Sequence, residues 1–157
     1  MSDKMALRVA IDLLHVPSQV RLVRSEPLPR GVPVLLRIAA GDDAAEREAA
    51  DLTAHSRDVV RRAAAFFIEQ ILFAPDTDSY RVLGAAPQAS AGELRGNAAL
   101  LLKWLHHLSK AKWSLSNLAS MLRLNLFTYR DLRNWLDNPF ETPPLIPETE
   151  QLTLELT

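Results

Sequence analysis

The sequence predicts an all-α protein, and three observations lead to that class. Alanine and leucine dominate its apolar residues, whereas runs of β-branched residues, which favour strands, are scarce. Apolar residues recur at spacings of three, four and seven, which places them on one side of a helix. Several such segments begin at serine or aspartate and end at glycine or proline, the residues that commonly bound helices.

The first predicted helix covers residues 4–15 and ends before Pro17. Its apolar side consists of Leu7, Ala10, Ile11 and Leu14. Residues 17–33 contain four prolines, which are incompatible with a central strand, and we expect this stretch to be a loop. A short helix over residues 34–40 should then end at Gly41.

Two further helices are expected between Asp42 and Phe73. The segment DDAAEREAADL starts with acidic residues, which suit the positive end of a helix dipole, and continues with strong helix formers. Ser56 is the predicted cap of the next run, RDVVRRAAAFFIEQILF. Its buried face should comprise Val60, Ala63, Ala64, Phe67 and Ile71. We expect this most hydrophobic helix to pack against the helices that follow it.

The stretch from Asp78 to Leu108 is the most informative part of the chain. It begins with Tyr80 and Leu83, breaks at Gly84, and restarts at Ser90 with Glu93 three residues later, which is the capping-box spacing. The apolar side of the second segment consists of Leu94, Ala98, Leu101 and Leu105. A short helix, a glycine turn and a longer amphipathic helix are therefore predicted.

This segment resembles the J-domain of DnaJ-like co-chaperones, in its entry turn, its ASAGELR helix start and its LLLKWLH helix. It is most similar to J-domains of some proteobacterial proteins that end in WLHPD. The resemblance implies a helical hairpin that docks on a heat-shock ATPase chaperone. It also implies that His106, Arg95 and Lys103 are the residues that contact this partner.

The segment departs from the family where a J-domain acts on its partner. The family carries a His-Pro-Asp loop after its second helix, whereas this chain has His106, His107 and Leu108. Proline would fix the backbone there and aspartate would supply a negative acceptor, and neither is present. Arg95 and Lys103 are the only cations of a helix that is basic in the family. The resemblance therefore implies impaired stimulation of the chaperone ATPase.

After His107 the helical pattern restarts in SKAKWSLSNLASMLRLNLF, with Ser114 or Ser116 as cap. A further helix is expected in YRDLRNWLDN, followed from Pro139 by an extended, proline-rich arm. The region from Met121 to Leu156 resembles the C-terminal end of certain insertion-sequence transposases, without their catalytic carboxylate segments. An alternative function is therefore that of a transposase-derived or hybrid fragment with residual nucleic-acid association through this tail.

Four regions follow from these patterns. They are a helical N-terminal region over residues 1–74, a partial J-domain-like segment over 75–108, a helical region over 109–138 and an extended tail over 139–157.

Charge and composition limit the partners that the chain is expected to bind. Eighteen Lys and Arg against nineteen Asp and Glu give a net charge of −1, so no global field attracts nucleic acid or anionic lipid. We therefore interpret Arg57, Arg61 and Arg62 as a solvated helix face and not as phosphate contacts. The N-terminus is unlike a signal peptide and no apolar window is long enough for a membrane helix. A soluble cytoplasmic protein without a membrane partner is expected.

No enzyme chemistry, cofactor or metal site is predicted. There is no cysteine, no glycine-rich phosphate loop and no nucleophile with a base at a motif spacing. His15 and His55 are far apart in sequence, and no HExxH or HxxxH spacing occurs. The adjacent His106 and His107 would point about 100° apart on a helix, which makes a shared metal ion unfavourable.

Overall fold

The computed structural model describes residues 3–75, 77–110, 114–125 and 137, and the regular elements in this part of the chain are helical. The predicted all-α class is thus confirmed for these residues. The helices are α1 Asp3–His15, α2 Val20–Ser25, α3 Val32–Ala39, α4 Asp43–Thr53, α5 Arg57–Phe67, α6 Ser79–Val82, α7 Ala91–Leu108 and α8 Leu115–Asn125. A 3₁₀ turn, Pro17–Gln19, precedes α2, and a π turn, Ile68–Leu72, continues α5.

The predicted starts of α4, α5 and α7 are confirmed, because in each a side chain accepts hydrogen bonds from N–H groups of the first turn. Asp42 accepts hydrogen bonds from the N–H groups of Ala44 and Ala45, both at 3.1 Å, and begins α4. Ser56 caps α5 in the same way. At α7 the capping box is complete, since Ser90 accepts from the N–H of Glu93 and the Glu93 carboxylate accepts from the N–H of Ser90.

The stretch predicted as a loop, residues 17–33, contains helix α2 and the first turn of α3. Its prolines do not prevent helix formation, because Pro17 and Pro33 lie in first turns, where the missing N–H has no partner to lose. Arg24 then fixes α2 on the π turn by donating to the carbonyl of Gln70 at 2.8 Å and to its side-chain oxygen at 3.2 Å. This contact between distant residues stabilises a helix that the local pattern did not indicate.

Helix α5 lies at the centre of the packed helices and contacts α1, α3 and α4. The face predicted for this helix is buried as expected, and Phe67 and Ile71 are fully enclosed. The segment predicted to pack against the J-domain-like helices, residues 57–73, contacts α7 at its end, where the ring of Phe73 lies 5.7 Å from that of Trp104. Among the helices, α7 packs chiefly on α3 and α8.

Apolar residues of both the N-terminal helices and α7 belong to one buried cluster. It extends from Leu7 in α1 and Leu36 in α3 to Leu101 and Leu105 in α7 and Leu118 in α8. Burial of this kind stabilises a protein by roughly 1.5–3 kcal/mol for each large aliphatic or aromatic side chain. The J-domain-like segment is consequently stabilised by the preceding helices as well as by its own contacts.

Helix α8 begins where the sequence indicated, since Ser114 accepts a hydrogen bond from the N–H of Asn117 at 3.2 Å. The predicted final helix, apart from Asp137, and the extended tail from Pro139 lie outside the described residues. The part with transposase resemblance therefore has almost no structural description. None of the helices in the described ranges combines the length and apolarity that a bilayer-spanning helix requires.

Candidate partner-binding surface

The short helix α6 is attached to the N-terminal helices by Arg81. Its guanidinium donates to the carbonyl oxygens of Val23 at 3.1 Å and Glu26 at 2.8 Å, at the end of α2. Asp78 caps α6 by accepting from the N–H of Arg81 at 2.9 Å. The Val23 carbonyl also accepts from the N–H of Glu26, so the arginine adds a second hydrogen bond to one carbonyl at the end of α2 and bonds to the next free one, that of Glu26.

Gly84 allows the turn between α6 and α7 to lie directly on the core. Its φ of +63° is in the left-handed region, which side chains other than glycine's disfavour. A Cβ at this position would lie 2.7 Å from Cγ1 of Val32 and 3.4 Å from Cδ1 of Leu36, both on α3. The predicted break at Gly84 is therefore confirmed, and it is also a point of close contact between the turn and α3.

Asn97 joins the start of α7 to that turn. It is one of the few buried polar residues among those described, and its Nδ2 donates to the carbonyl of Leu83 at 2.9 Å. Further along the same buried side, the ring of Trp104 contacts that of Phe73, with centroids 5.7 Å apart. Asn97 was not among the residues predicted to be buried on α7. Its spacing of four residues from Leu101 and seven from Trp104 was the available signal.

The opposite side of α7 carries the three residues that the J-domain resemblance indicates. Arg95 and Lys103 are exposed, and His106 is half-buried. Eleven residues make about three helical turns, so Arg95 and His106 lie on nearly the same side, about 16 Å apart along the axis. Lys103 precedes His106 by three residues and is its neighbour on that side. We call this side of α7, with Arg95, Lys103 and His106, the outer face.

Small side chains separate these charged residues on the outer face. Gly96 and Ala99 are exposed between Arg95 and Lys103, so a partner can approach the helix backbone closely there. No heavy atom lies within 4 Å of the position that a Cβ on Gly96 would occupy. The outer face thus has an exposed strip with two cations, Arg95 and Lys103, and the half-buried His106 at its end.

The two adjacent histidines lie on the helix, as the predicted helix ending at Leu108 indicated, where a J-domain would have its loop. His106 and His107 belong to the last turn of α7, which ends at Leu108 with Ser109 as its cap. Their rings are in edge-to-face contact, with centroids 6.0 Å apart. Without proline, whose ring disfavours helical backbone in the residue before it, the helix continues through this position. His107 turns toward α3 and α4, and its Nε2 lies 4.0 Å from where a Cβ on Gly41 would be.

The arginines of α5, interpreted from the sequence as a solvated face, are exposed as expected, and each of them also forms an ion pair. Glu46 on α4 is only 3% exposed and accepts from Arg57 Nε at 2.8 Å and from Arg61 Nη2 and Nε at 2.8 and 3.0 Å. Arg57 also bonds to Asp43, and Arg62 pairs with Asp58 at 3.0 Å. Arg57 and Arg61 therefore connect α5 to α4, whereas the Arg62–Asp58 pair lies within α5.

These ion pairs make the stability of the chain depend on pH. The hydrogen bonds from Arg61, and then those from Arg57, hold the pKa of Glu46 below its ordinary value of 4.5 despite the opposing effect of burial. The pairs consequently contribute stability above pH 4.5, which is lost as the pH falls through the lower pKa of the folded state. We expect Glu46→Gln to lower the free energy of unfolding at pH 7 by about 1–3 kcal/mol and to reduce the loss of stability on acidification.

Urea unfolding of the two proteins between pH 2.5 and pH 7 measures this effect. The exposed Glu48 on the same helix provides a matched control. Glu48→Gln should change the free energy of unfolding by less than about 0.5 kcal/mol. The prediction would be contradicted if acidification lowered the free energy of unfolding of the wild type and of Glu46→Gln by the same amount.

Comparison of the chain with protein-family models, with curated proteins and with solved structures finds no match. The comparisons identify neither a J-domain nor a transposase. Both resemblances therefore remain predictions from the residues.

Proposed function

We propose that this chain is a non-enzymatic helical interaction protein whose outer face docks on a heat-shock ATPase chaperone. The observation that carries the proposal is the position of Arg95, Lys103 and His106 on one side of a single, anchored helix. Cations at an accessible surface favour an acidic partner surface and accelerate association through electrostatic attraction. A chaperone of the cytoplasm is the partner that the resemblance implies, so the proposal includes a cytoplasmic location.

Docking of this kind should occur with little or no stimulation of ATP hydrolysis. At the position where J-domains carry His-Pro-Asp, this chain has a helical His106, a His107 turned toward Gly41 and the uncharged Leu108. No carboxylate follows the histidines there to act as a negative acceptor. The chain would therefore occupy the docking surface of a chaperone and compete with active J-domain proteins.

Titration of the full chain onto a labelled heat-shock ATPase, with ATP turnover recorded in parallel, tests the proposal. The double substitution Arg95→Glu/Lys103→Glu should weaken binding about 10-fold or more, since two favourable charge contacts become repulsive. Wild-type affinity should also fall as the salt concentration rises, because exposed charges are screened.

A matched control reverses two exposed arginines of the N-terminal helices. Arg8→Glu/Arg47→Glu changes the net charge by the same amount without touching α7. Equal loss of binding in both double variants, or no binding by the wild type, would contradict docking through the outer face. Strong stimulation of ATP turnover by the wild type would contradict the impaired activity.

A further inference from the structure

His15 and His55 are distant in sequence but adjacent in space. His15 lies in the last turn of α1, and His55 follows Ala54, the residue that ends α4. The centroids of the two imidazole rings are 6.1 Å apart, and both side chains are exposed. The separation of His15 and His55 in sequence argued against a shared site, but the packing of α1 on α4 brings them together.

Each ring has one nitrogen bonded to a backbone carbonyl. Nδ1 of His15 lies 2.8 Å from the carbonyl oxygen of Ile11, and Nδ1 of His55 lies 2.7 Å from that of Thr53. A carbonyl oxygen only accepts hydrogen bonds, so Nδ1 carries the proton in both rings. The neutral imidazole then has its lone pair on Nε2. This arrangement, with one N–H on a carbonyl and the other nitrogen available, is typical of metal-binding histidines.

The distance between the rings suits one shared ion. A Zn–N bond is about 2.0–2.1 Å long, so two imidazoles on a tetrahedral ion have their centroids about 5.3 Å apart. A wider angle between the ligands increases this distance. The observed separation of 6.1 Å therefore corresponds to a wider angle between the two nitrogen ligands at the ion. A small rotation of the two exposed side chains would bring the rings to the tetrahedral separation.

The electrostatic surroundings also favour a cation. The C-terminal ends of α1 and α4 meet here, and each carries the partial negative charge of its helix dipole. Asp12 precedes His15 by three residues on α1, and Asp51 lies in the last turn of α4, before His55; both are exposed. Two helix ends and two carboxylates thus make the local potential negative.

We propose that His15 and His55 bind a divalent transition-metal ion of the Zn²⁺, Ni²⁺ or Cu²⁺ class through Nε2, and so join the end of α1 to the end of α4. Nitrogen donors select these ions over Mg²⁺ and Ca²⁺, which prefer oxygen. Within the described ranges no group of three or more His, Asp or Glu side chains is arranged to hold a metal. Water completes the coordination, so the ion exchanges freely and binds less tightly than in a closed structural site.

Calorimetric titration of the full chain with NiCl₂ and with ZnCl₂, paired with thermal unfolding, tests this proposal. We expect one site per chain with a dissociation constant below about 1 mM. At ten times that concentration the Tm should rise by about 3–6 °C. MgCl₂ at the same concentration should have no comparable effect.

The substitution His15→Gln/His55→Gln should abolish both signals. Because both positions are exposed, its Tm without metal should equal that of the wild type. The control His106→Gln/His107→Gln removes the chain's other adjacent pair and should keep the wild-type metal response. A Tm rise that survives His15→Gln/His55→Gln, or one that disappears only in the control, would overturn the proposal. An equal response to MgCl₂ would do the same.

Discussion

Replacing Gly84 with alanine is expected to lower the free energy of unfolding by about 2–4 kcal/mol. The left-handed backbone at this turn disfavours any Cβ, and the added carbon would lie 2.7 Å from Cγ1 of Val32. Val32, Leu36 and Leu72 surround the position and are at most 2% exposed, so they have little room to move away. Urea unfolding followed by circular dichroism measures the change.

Gly96 provides a control of the same chemistry on the same segment. It lies inside α7 with no heavy atom within 4 Å of its Cβ position. Gly96→Ala should therefore stabilise the protein by about 0.5–1 kcal/mol, because alanine is the better helix former. Destabilisation of the two variants by similar amounts would contradict the close packing of the Gly84 turn on α3.

Replacing Trp104 with alanine is expected to lower the free energy of unfolding by about 3–5 kcal/mol. The side chain is 5% exposed, and its ring packs against Phe73 at the end of the π turn. Its removal leaves a cavity between α7 and the N-terminal helices. Because Trp104 is part of the contact that fixes the outer face, amide hydrogen exchange in α7 should accelerate more than exchange in α5.

Trp104→Phe distinguishes the loss of the aromatic contact with Phe73 from a reduction in side-chain volume. It retains an aromatic contact with Phe73 and should be considerably less destabilising than Trp104→Ala. Equal stability of all three proteins would mean that α7 is not anchored by this residue. If amide hydrogen exchange accelerated equally in all helices, α7 would not unfold locally while the other helices stay folded.

The elements that the sequence predicted well depend on short-range chemistry. Asp42, Ser56 and the Ser90–Glu93 pair act within three residues of themselves, so their effect is visible in the local pattern. Helix α2 was missed because its support comes from Arg24 bonding to Gln70, which lies far along the chain. The proline content of residues 17–33 predicted a loop, whereas the contact with Gln70 stabilises a helix there.

The same distinction applies to the candidate sites. Helical spacing alone places Arg95, Lys103 and His106 on one side of α7, so the outer face was predictable once α7 was recognised. The proximity of His15 to His55 and the burial of Glu46 depend on how α1, α4 and α5 pack, which no local spacing reports. The sequence likewise gave no sign that Arg81 bonds to carbonyls at the end of α2.

Helix α3 lies between the central α5 and the outer α7, and this position determines whether the J-domain-like segment can fold apart from the N-terminal helices. Excised together with α8, as residues 75–125, that segment would expose to water the side of α7 that packs on α3, and it would remove Leu101 and Leu105 from the buried cluster they share with the N-terminal helices. Such a fragment would tend to self-associate and would lose the contacts that orient Arg95 and Lys103. Grafting this segment onto another protein would therefore require α3 and its supporting helices to be transferred with it.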